Sequence, residues 1–343
     1  MATQRELAEY TGYSIATISR VLNEDPTMSV SESTRSAILE AAGHLHYKAA
    51  PRRSKSVPSS TLRLAIAEML SPVEQLSDPY YLYLKNYAEQ RCRDIGCSVT
   101  HLVKQQEEYH LDYNEKINGI LAIGIFTEAQ VLQLSQLSPN LVFLDSSPDE
   151  TSFDSVVLNF RLGIEQALDY LISQGHTRIA FLGPNNKLDH LKRPAPEARR
   201  RHFISYMQEK ALFEPSLLLD TQMTAPDARR VLSVLISEGA PLPTAILASN
   251  EEVAIGAVSA AREAGLSVPH DLSVISFNDT ALSALTDPPL TSVSTHVELM
   301  SSAAVELLIR RCTGIDTLPL KVVVPTTLTV RESVKALANS VHI

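Results

Sequence analysis

Apolar and polar positions follow two different rhythms along this chain. In the first 46 residues the apolar positions recur every three or four residues, the spacing of a helix that buries one stripe. Ile18, Val21 and Leu22 form one such stripe, and Ile38, Ala41, Ala42 and Leu45 form another. The segment starts carry capping chemistry. Thr3-Gln4-Arg5-Glu6 is a capping box, whose hydroxyl and carboxylate satisfy amides that a first turn leaves unpaired, and it predicts a helix to about Tyr10. Gly12 lacks a Cβ and predicts a tight turn, after which Ser14 caps a second helix to about Leu22. A third helix starts near Ser31.

From Leu62 onward short apolar runs alternate with amphipathic stretches. Runs at 62–69, 98–103, 117–125, 141–145, 178–182, 244–248 and 272–277 read as strands, interleaved with helical patterns at 81–95, 162–174, 199–210, 226–238 and 253–264. That alternation predicts parallel sheets flanked by helices, with ligands bound beyond the carboxyl ends of the strands. Polar residues follow several strand ends, at Asp145, 184–186, 249–250 and 278–279, and they outline a cleft. Between the two regimes, residues 48–61 are rich in Ala, Pro, Ser, Lys and Arg and read as a linker.

Composition narrows the possibilities. A chain of 343 residues with 44% apolar content can bury cores for two or three domains. Its longest apolar runs, such as Ile117 to Phe126, are far short of the roughly 20 residues that span a bilayer, and no basic-then-apolar leader opens the sequence. The expectation is a cytoplasmic protein with no membrane partner. Cys92, Cys97 and Cys312 lack zinc-site spacing, so neither a metal nor a cofactor is expected. The net charge of −9 is unevenly placed: the first 60 residues carry seven Lys and Arg against six Asp and Glu, the remainder 23 against 33. An acidic larger part limits nonspecific attraction to DNA while the N-terminal module stays free to approach it.

The chemistry of the second helix fits a nucleic-acid reading head. In GYSIATISRVLN, Ala16, Thr17 and Ser19 are small or short outward residues and Arg20 presents a guanidinium. Short side chains let a helix sit deep in the major groove, hydroxyls and the helix N-terminus meet phosphate, and a planar fork matches guanine. A solvent-facing helix of an α-hairpin has a similar profile. Signatures of enzymes are missing: GxxxxGK[ST], GxGxxG, GxSxG and HExxH do not occur, and the histidines lack fixed-spacing partners. No catalytic residue is expected.

The segments AEYTGYSIATISRVLN and SESTRSAILEAAGHLHYK resemble the DNA-binding domain of the lactose/galactose repressor family. The resemblance continues through SQGHTRIAFLG, PTAILASNEEVAIGAVSAAREAGLSVPHDLSVISFND, PPLTSV and VVVPTTLTVRES, so it spans nearly the whole chain. It implies an N-terminal all-α helix-turn-helix module plus an α/β two-lobed periplasmic-binding-protein-like domain, with parallel sheets flanked by helices. It also implies that Ile15, Ala16 and Arg20 read bases while Ser14, Thr17, Ser19 and Asn23 lie near phosphates. The hinge departs from the family: residues 50–57 read APRRSKSV, with no leucine to wedge into the minor groove, although Arg52, Arg53 and Lys55 suit backbone or minor-groove contact.

For the large domain the resemblance implies an effector site that includes Arg199, Asn250 and Asn278, the last standing where many relatives have Asp. Asp78, Tyr80 and Tyr81 follow the first strand, and Asp145 and Asn159 follow later ones. The chain has no Trp, so an aromatic platform falls to Tyr or Phe, for example Phe126 or Phe181. The expected layout is a DNA-binding domain at 1–46, a hinge at 47–60, an effector and dimerisation domain at 61–335 and a tail at 336–343. One lobe would comprise 61–159 and 292–322, the other 160–291 and 323–335, joined by three crossovers. The expected function is a repressor of carbohydrate genes, homodimeric on palindromic double-stranded DNA and controlled by a small sugar, a galactoside being one candidate. A sugar receptor without DNA binding and a sugar-modifying enzyme are the alternatives.

Overall fold

The computed structural model describes residues 4–22, 30–45, 62–75, 79–111, 116–239, 241–315 and 318–337, which belong to two compact units. The N-terminal unit holds α1 (Gln4–Thr11), α2 (Ile15–Leu22) and α3 (Glu32–His44). Gly12 turns between the first two with φ +75°. Ser14 Oγ accepts the Thr17 amide at 3.1 Å and Ser31 Oγ accepts that of Thr34 at 3.2 Å, so both serines cap as their positions predict. The stripes meet in one small core, where Leu7, Ile18, Val21, Ile38 and Ala41 are buried. Thr3 and its expected capping box, together with the hinge, lie outside the described residues.

The larger unit is two α/β lobes. In the first, β1 (Arg63–Glu68), β2 (Ser98–Gln105), β3 (Glu108–Leu111), β4 (Gly119–Ile123), β5 (Leu141–Leu144), β6 (Asp154–Leu158) and β14 (Lys321–Val324) form a sheet of order β14-β6-β5-β4-β1-β2-β3. In the second, β7 (Ile179–Gly183), β10 (Leu218–Asp220), β11 (Ala245–Ala248), β12 (Ser273–Asn278), β13 (Thr291–Ser294) and β15 (Thr327–Thr329) are ordered β10-β7-β11-β12-β13-β15. Pairing is parallel except at β2–β3 and β13–β15. The central strands GILAI, LVFL, IAFLG and AILA are buried at every position, because helices cover both faces of each sheet. Helices α5 (Pro79–Asp94), α6 (Glu128–Leu137) and α12 (Val297–Cys312) pack on the first sheet; α7 (Phe160–Ser173), α8 (Ala198–Glu209), α9 (Ala225–Ser237) and α10 (Glu251–Glu263) serve the second.

The chain crosses between the lobes after β6, β13 and β14. The first crossing falls at Asn159, but the other two correct the expected boundaries. Thr291–Ser294 pairs with β12 and so belongs to the second lobe, whereas Lys321–Val324 pairs with β6 and completes the first. The crossings therefore fall at 295–296 and 325–326, a few residues after the expected 292 and 323. Apolar runs flank both sites, and only the pairing partner distinguishes the lobes.

Two local contacts generate measurable consequences. On α10, a Cβ at Gly256 would strike the carbonyl oxygen of Ala225 and lie 2.8 Å from the Ala228 Cβ. Helix propensity favours Gly256→Ala by about 1 kcal/mol, but backbone overlap in a packed interface costs about 1–3 kcal/mol. Overlap should win, and thermal unfolding should show a lowered Tm.

His176 is fully buried, with Nδ1 3.0 Å from Thr244 Oγ1 and Nε2 3.1 Å from the carbonyl oxygen of Lys335, so it ties the C-terminal segment to the second lobe. Burial pushes its pKa below the ordinary histidine value. The unfolded chain therefore takes up the proton first as pH falls, and the stability from neutral His176, complete above about pH 6.5, is lost through the depressed folded value. Urea unfolding should show the stability difference between wild type and His176→Asn shrinking as pH falls from about 7.5 to about 5.5; a constant difference would exclude His176 as its source.

Candidate functional sites

The reading head is built by α2 on its three-helix base. Ile18 and Val21 point into the core with 0% and 3% exposure, which turns the opposite face outward. On that face Ser14 and Arg20 are exposed, Ile15 is 47% exposed, and Thr17 and Ser19 are half-buried. Ser14 Oγ also lies 2.9 Å from Thr17 Oγ1, so the two hydroxyls are grouped at the helix N-terminus, where orphan amides favour an anion. The exposed Ile15 adds an apolar group of the kind that meets a thymine methyl in a major groove. Ala16 is part of the helix. Asn23, Arg52, Arg53 and Lys55 lie outside the described residues.

In the larger unit a cavity of about 300 Å³ lies between the lobes. Tyr81, Ile125 and Asp145 line it from the first lobe, and Phe160, Glu197, Arg199 and Arg201 are among those lining it from the second. Asp145 follows β5 with φ +74°, a left-handed conformation that Asp tolerates better than most residues. There its carboxylate accepts both the Tyr80 and the Tyr81 hydroxyl, one on each oxygen at 3.0 Å. The tyrosines are neighbours on α5, with rings edge to face and centroids 5.3 Å apart, and together they fix the plane of the carboxylate. A carboxylate held in this way is a ready acceptor for ligand hydroxyls.

Arg199 is 3% exposed and forms part of the cavity wall. Its Nε donates to Glu197 at 2.7 Å, Nη1 donates to the Ser249 carbonyl, and its guanidinium lies 5.4 Å from the Phe160 ring centroid and 5.6 Å from that of Phe277. Glu197 is 2% exposed and caps α8 by accepting the Arg200 amide at 2.8 Å. Burial pushes the Glu197 carboxyl up, but the Arg199 guanidinium and the Arg200 amide outweigh it, and the net displacement is downward. Glu197 therefore stays ionised beside the guanidinium. Of the run Arg199-Arg200-Arg201, the first and last face the cavity while Arg200 pairs with Asp220.

The structure thus brings Tyr80, Tyr81, Asp145 and Arg199 together and places the other expected residues elsewhere. Phe126 is fully buried, stacked between Tyr109 at 5.8 Å and Phe143 at 5.9 Å, while its neighbour Ile125 lines the cavity. Phe181 is likewise buried, against Phe203. The aromatic wall is Phe160, which sequence reading passed over because it opens a helix rather than ending a strand. The side-chain oxygens of Asn159 and Asn250 act as N-caps, accepting the amides of Leu162 at 3.0 Å and Val253 at 2.9 Å. Asn278, with φ +97°, lines a separate open hollow of about 410 Å³ with Asp279 and His296. Asp78 lies outside the described residues. Glu197 carried one overlooked signal: an acidic residue just before a helical pattern is a capping position. Among the described residues no cluster of three or more His, Cys, Asp or Glu is arranged to hold a metal, and no helix is long and apolar enough to cross a membrane.

Known proteins share this arrangement. The lacI family of bacterial regulatory proteins matches residues 3–49, and the periplasmic binding protein-like domain family matches residues 168–334. The HTH-type transcriptional regulator GalR of Streptococcus thermophilus is 33% identical over 338 residues, covering 98% of this chain and 100% of its own. The HTH-type transcriptional repressor MelR of Bacillus subtilis is 30% identical, covering 99% and 100%. Among solved structures, the transcriptional regulator CelR in complex with cellobiose superposes with a TM-score of 0.66 at 22% identity, over 97% of this chain and 100% of that one. The Lac repressor dimer bound to operator and an anti-inducer superposes at 0.64, with 22% identity over 98% and 99%. Three helices with an exposed polar α2, two crossed-over α/β lobes and full-length similarity to such regulators lead to one assignment: the chain belongs to the lacI family and is a DNA-binding transcriptional regulator.

Proposed function

We propose that this regulator represses carbohydrate-utilisation genes in the cytoplasm, binding a palindromic operator as a homodimer and responding to a small sugar held between the lobes of its larger unit. The observation that carries the reading is the cavity chemistry. A carboxylate oriented by two tyrosine hydroxyls, a charged guanidinium and an aromatic face are the groups that hold a polyhydroxylated ring, whose hydroxyls both donate and accept while its C–H faces are apolar. Asp145 would accept from neighbouring hydroxyls, Arg199 would donate to ring or hydroxyl oxygens, and Phe160 would pack on the apolar face. Two relatives of this fold carry matching descriptions, one in complex with cellobiose and one as a dimer on operator.

On DNA, Arg20 would make a bidentate contact to guanine and Ile15 and Ala16 would meet base edges, with Ser14, Thr17, Ser19 and Asn23 on phosphates. Arg52, Arg53 and Lys55 would contact the backbone or minor groove without a leucine wedge, so the operator is bound with little central kinking. Two modules on two half-sites supply the affinity that one short helix lacks. The effector binds one arrangement of the lobes better than another by about 1–3 kcal/mol, and that difference is what it can transmit to DNA binding. This function requires no catalytic residue and no cofactor.

Two measurements test the two halves of the proposal. In gel shifts on DNA upstream of the neighbouring genes, Arg20→Ala should weaken specific binding by at least about tenfold, since a bidentate guanine contact is worth about 1–3 kcal/mol. Sugar binding should be unchanged; full operator affinity in that variant would refute α2 as the reading head. For the cavity, galactose, lactose and cellobiose are screened by thermal shift, where a ligand at 100 times its Kd stabilises by about 2.7 kcal/mol. Asp145→Asn, which keeps shape but loses charge, should weaken the best sugar by about tenfold or more, because hydrogen bonds to charged groups contribute about 1.5–3 kcal/mol. Operator binding without sugar should persist, and unchanged sugar affinity would remove Asp145 from the site.

A further inference from the structure

Between β7 and α8 the chain leaves the second lobe as a hairpin of β8 (Asn186–Leu188) and β9 (Pro194–Pro196), paired antiparallel and separate from both large sheets. Its tip is tied to itself. The Asp189 carboxylate accepts the amides of Leu191 at 2.8 Å and Arg193 at 2.9 Å together with Arg193 Nε at 2.9 Å, and the Asp189 amide donates to the Arg193 carbonyl at 2.8 Å. Lys192 completes the tight tip with φ +56°. Two prolines stiffen the returning strand.

This stiff tip rests on the opposite lobe. The Ser147 amide, which follows β5 in the first lobe, donates to His190 Nδ1 at 3.2 Å. Leu191 packs against the first-lobe cluster that includes Phe126 and Phe143. Arg193 reaches Glu128 on α6 at 3.6 Å, an exposed pair that adds little by itself. The underside of the same hairpin is cavity wall: Lys187, Leu188, Asp189, His190, Ala195 and Pro196 all line the space that holds Asp145 and Arg199. Three crossovers already join the lobes through the chain itself, so this is a further connection, made across the cleft by noncovalent contacts.

We propose that the 186–196 hairpin is a clasp. It closes the cavity by pinning to the first lobe through His190 and Leu191, and its inner wall limits the length of the saccharide that the cavity admits. His190 acts as a positioning residue, since it holds the wall in place through Ser147. The length limit rests on the sugar reading of the cavity; the pinning rests on the geometry alone.

The test uses the full-length protein and two readouts that fail independently. The first is hydrogen exchange at the Ser147 amide without ligand. His190→Ala should speed it by about tenfold, the loss of one hydrogen bond, and His190→Asn, whose side-chain oxygen can accept the same amide, should restore much of the protection. Leu191→Asp should also speed exchange, by detaching the tip from its apolar seat. Unchanged exchange in both His190→Ala and Leu191→Asp overturns the clasp. The second readout is binding of galactose, lactose and the trisaccharide raffinose by stopped-flow and calorimetry. Wild type should admit the shorter sugars and exclude raffinose, while the detached variants associate about tenfold faster and bind raffinose. Faster exchange with identical sugar preference and association rates overturns the length limit. If no sugar binds any variant, the sugar reading and its length limit fail together, and the exchange result alone decides the clasp.

Discussion

One cleft holds a carboxylate and a guanidinium, and the larger unit fixes each of them through its own set of partners. A buried guanidinium without a partner costs several kcal/mol, so Arg199 is tolerable only beside Glu197, and Glu197 is tolerable only because Arg199 and the Arg200 amide hold it ionised. Because Glu197 also caps α8, the same carboxylate that keeps the cation charged sets where the helix begins. Asp145 is handled differently. Its two tyrosine hydroxyls orient the carboxylate, and a left-handed backbone turns it away from its strand toward the cavity.

The lobes that carry these charges are not independent bodies. One apolar cluster runs from Leu64 and Ile66 on β1 through Val156 and Leu158 to Phe181, Phe203 and Phe277 in the second lobe. Three crossovers pass beside it. A close-packed core of this kind permits a few discrete arrangements rather than continuous deformation, which is the condition under which a ligand between two lobes can select a state. The clasp across the cleft adds polar and apolar contacts that distinguish such arrangements.

The N-terminal unit obeys a different economy. Five buried side chains hold three short helices, none long enough to persist alone. Its interior uses Leu7, Ile18, Val21, Ile38 and Ala41, while Tyr10, Ile15 and Leu39 are left at the surface. Of these, Ile15 shares α2 with an exposed cation and the grouped hydroxyls, which makes that face a contact surface.

By itself the sequence determined the periodic elements. Stripes at helical spacing located α2 and α3 and capping chemistry located α1, the caps at Ser14 and Ser31 are local hydrogen bonds between residues three apart, and the alternation of short apolar runs with amphipathic stretches specified parallel sheets, because such patterns depend only on which faces must be buried. Tyr80, Tyr81, Asp145 and Arg199 were also legible, since polar groups at strand and helix ends are where this architecture places its cleft. What the tertiary structure decided were choices between near-equivalent neighbours. Ile125 rather than Phe126 faces the cavity, because the loop that Gly124 turns at φ +103° buries the Phe126 ring against Tyr109 and Phe143. Asn159 and Asn250 each commit their side-chain oxygen to a helix start, and the second and third crossings fall a few residues after the expected points because pairing, not pattern, assigns a strand to a sheet. The contact of His190 with Ser147, 43 residues apart, had no signature in the chain at all: it exists only where two lobes bring their loops face to face.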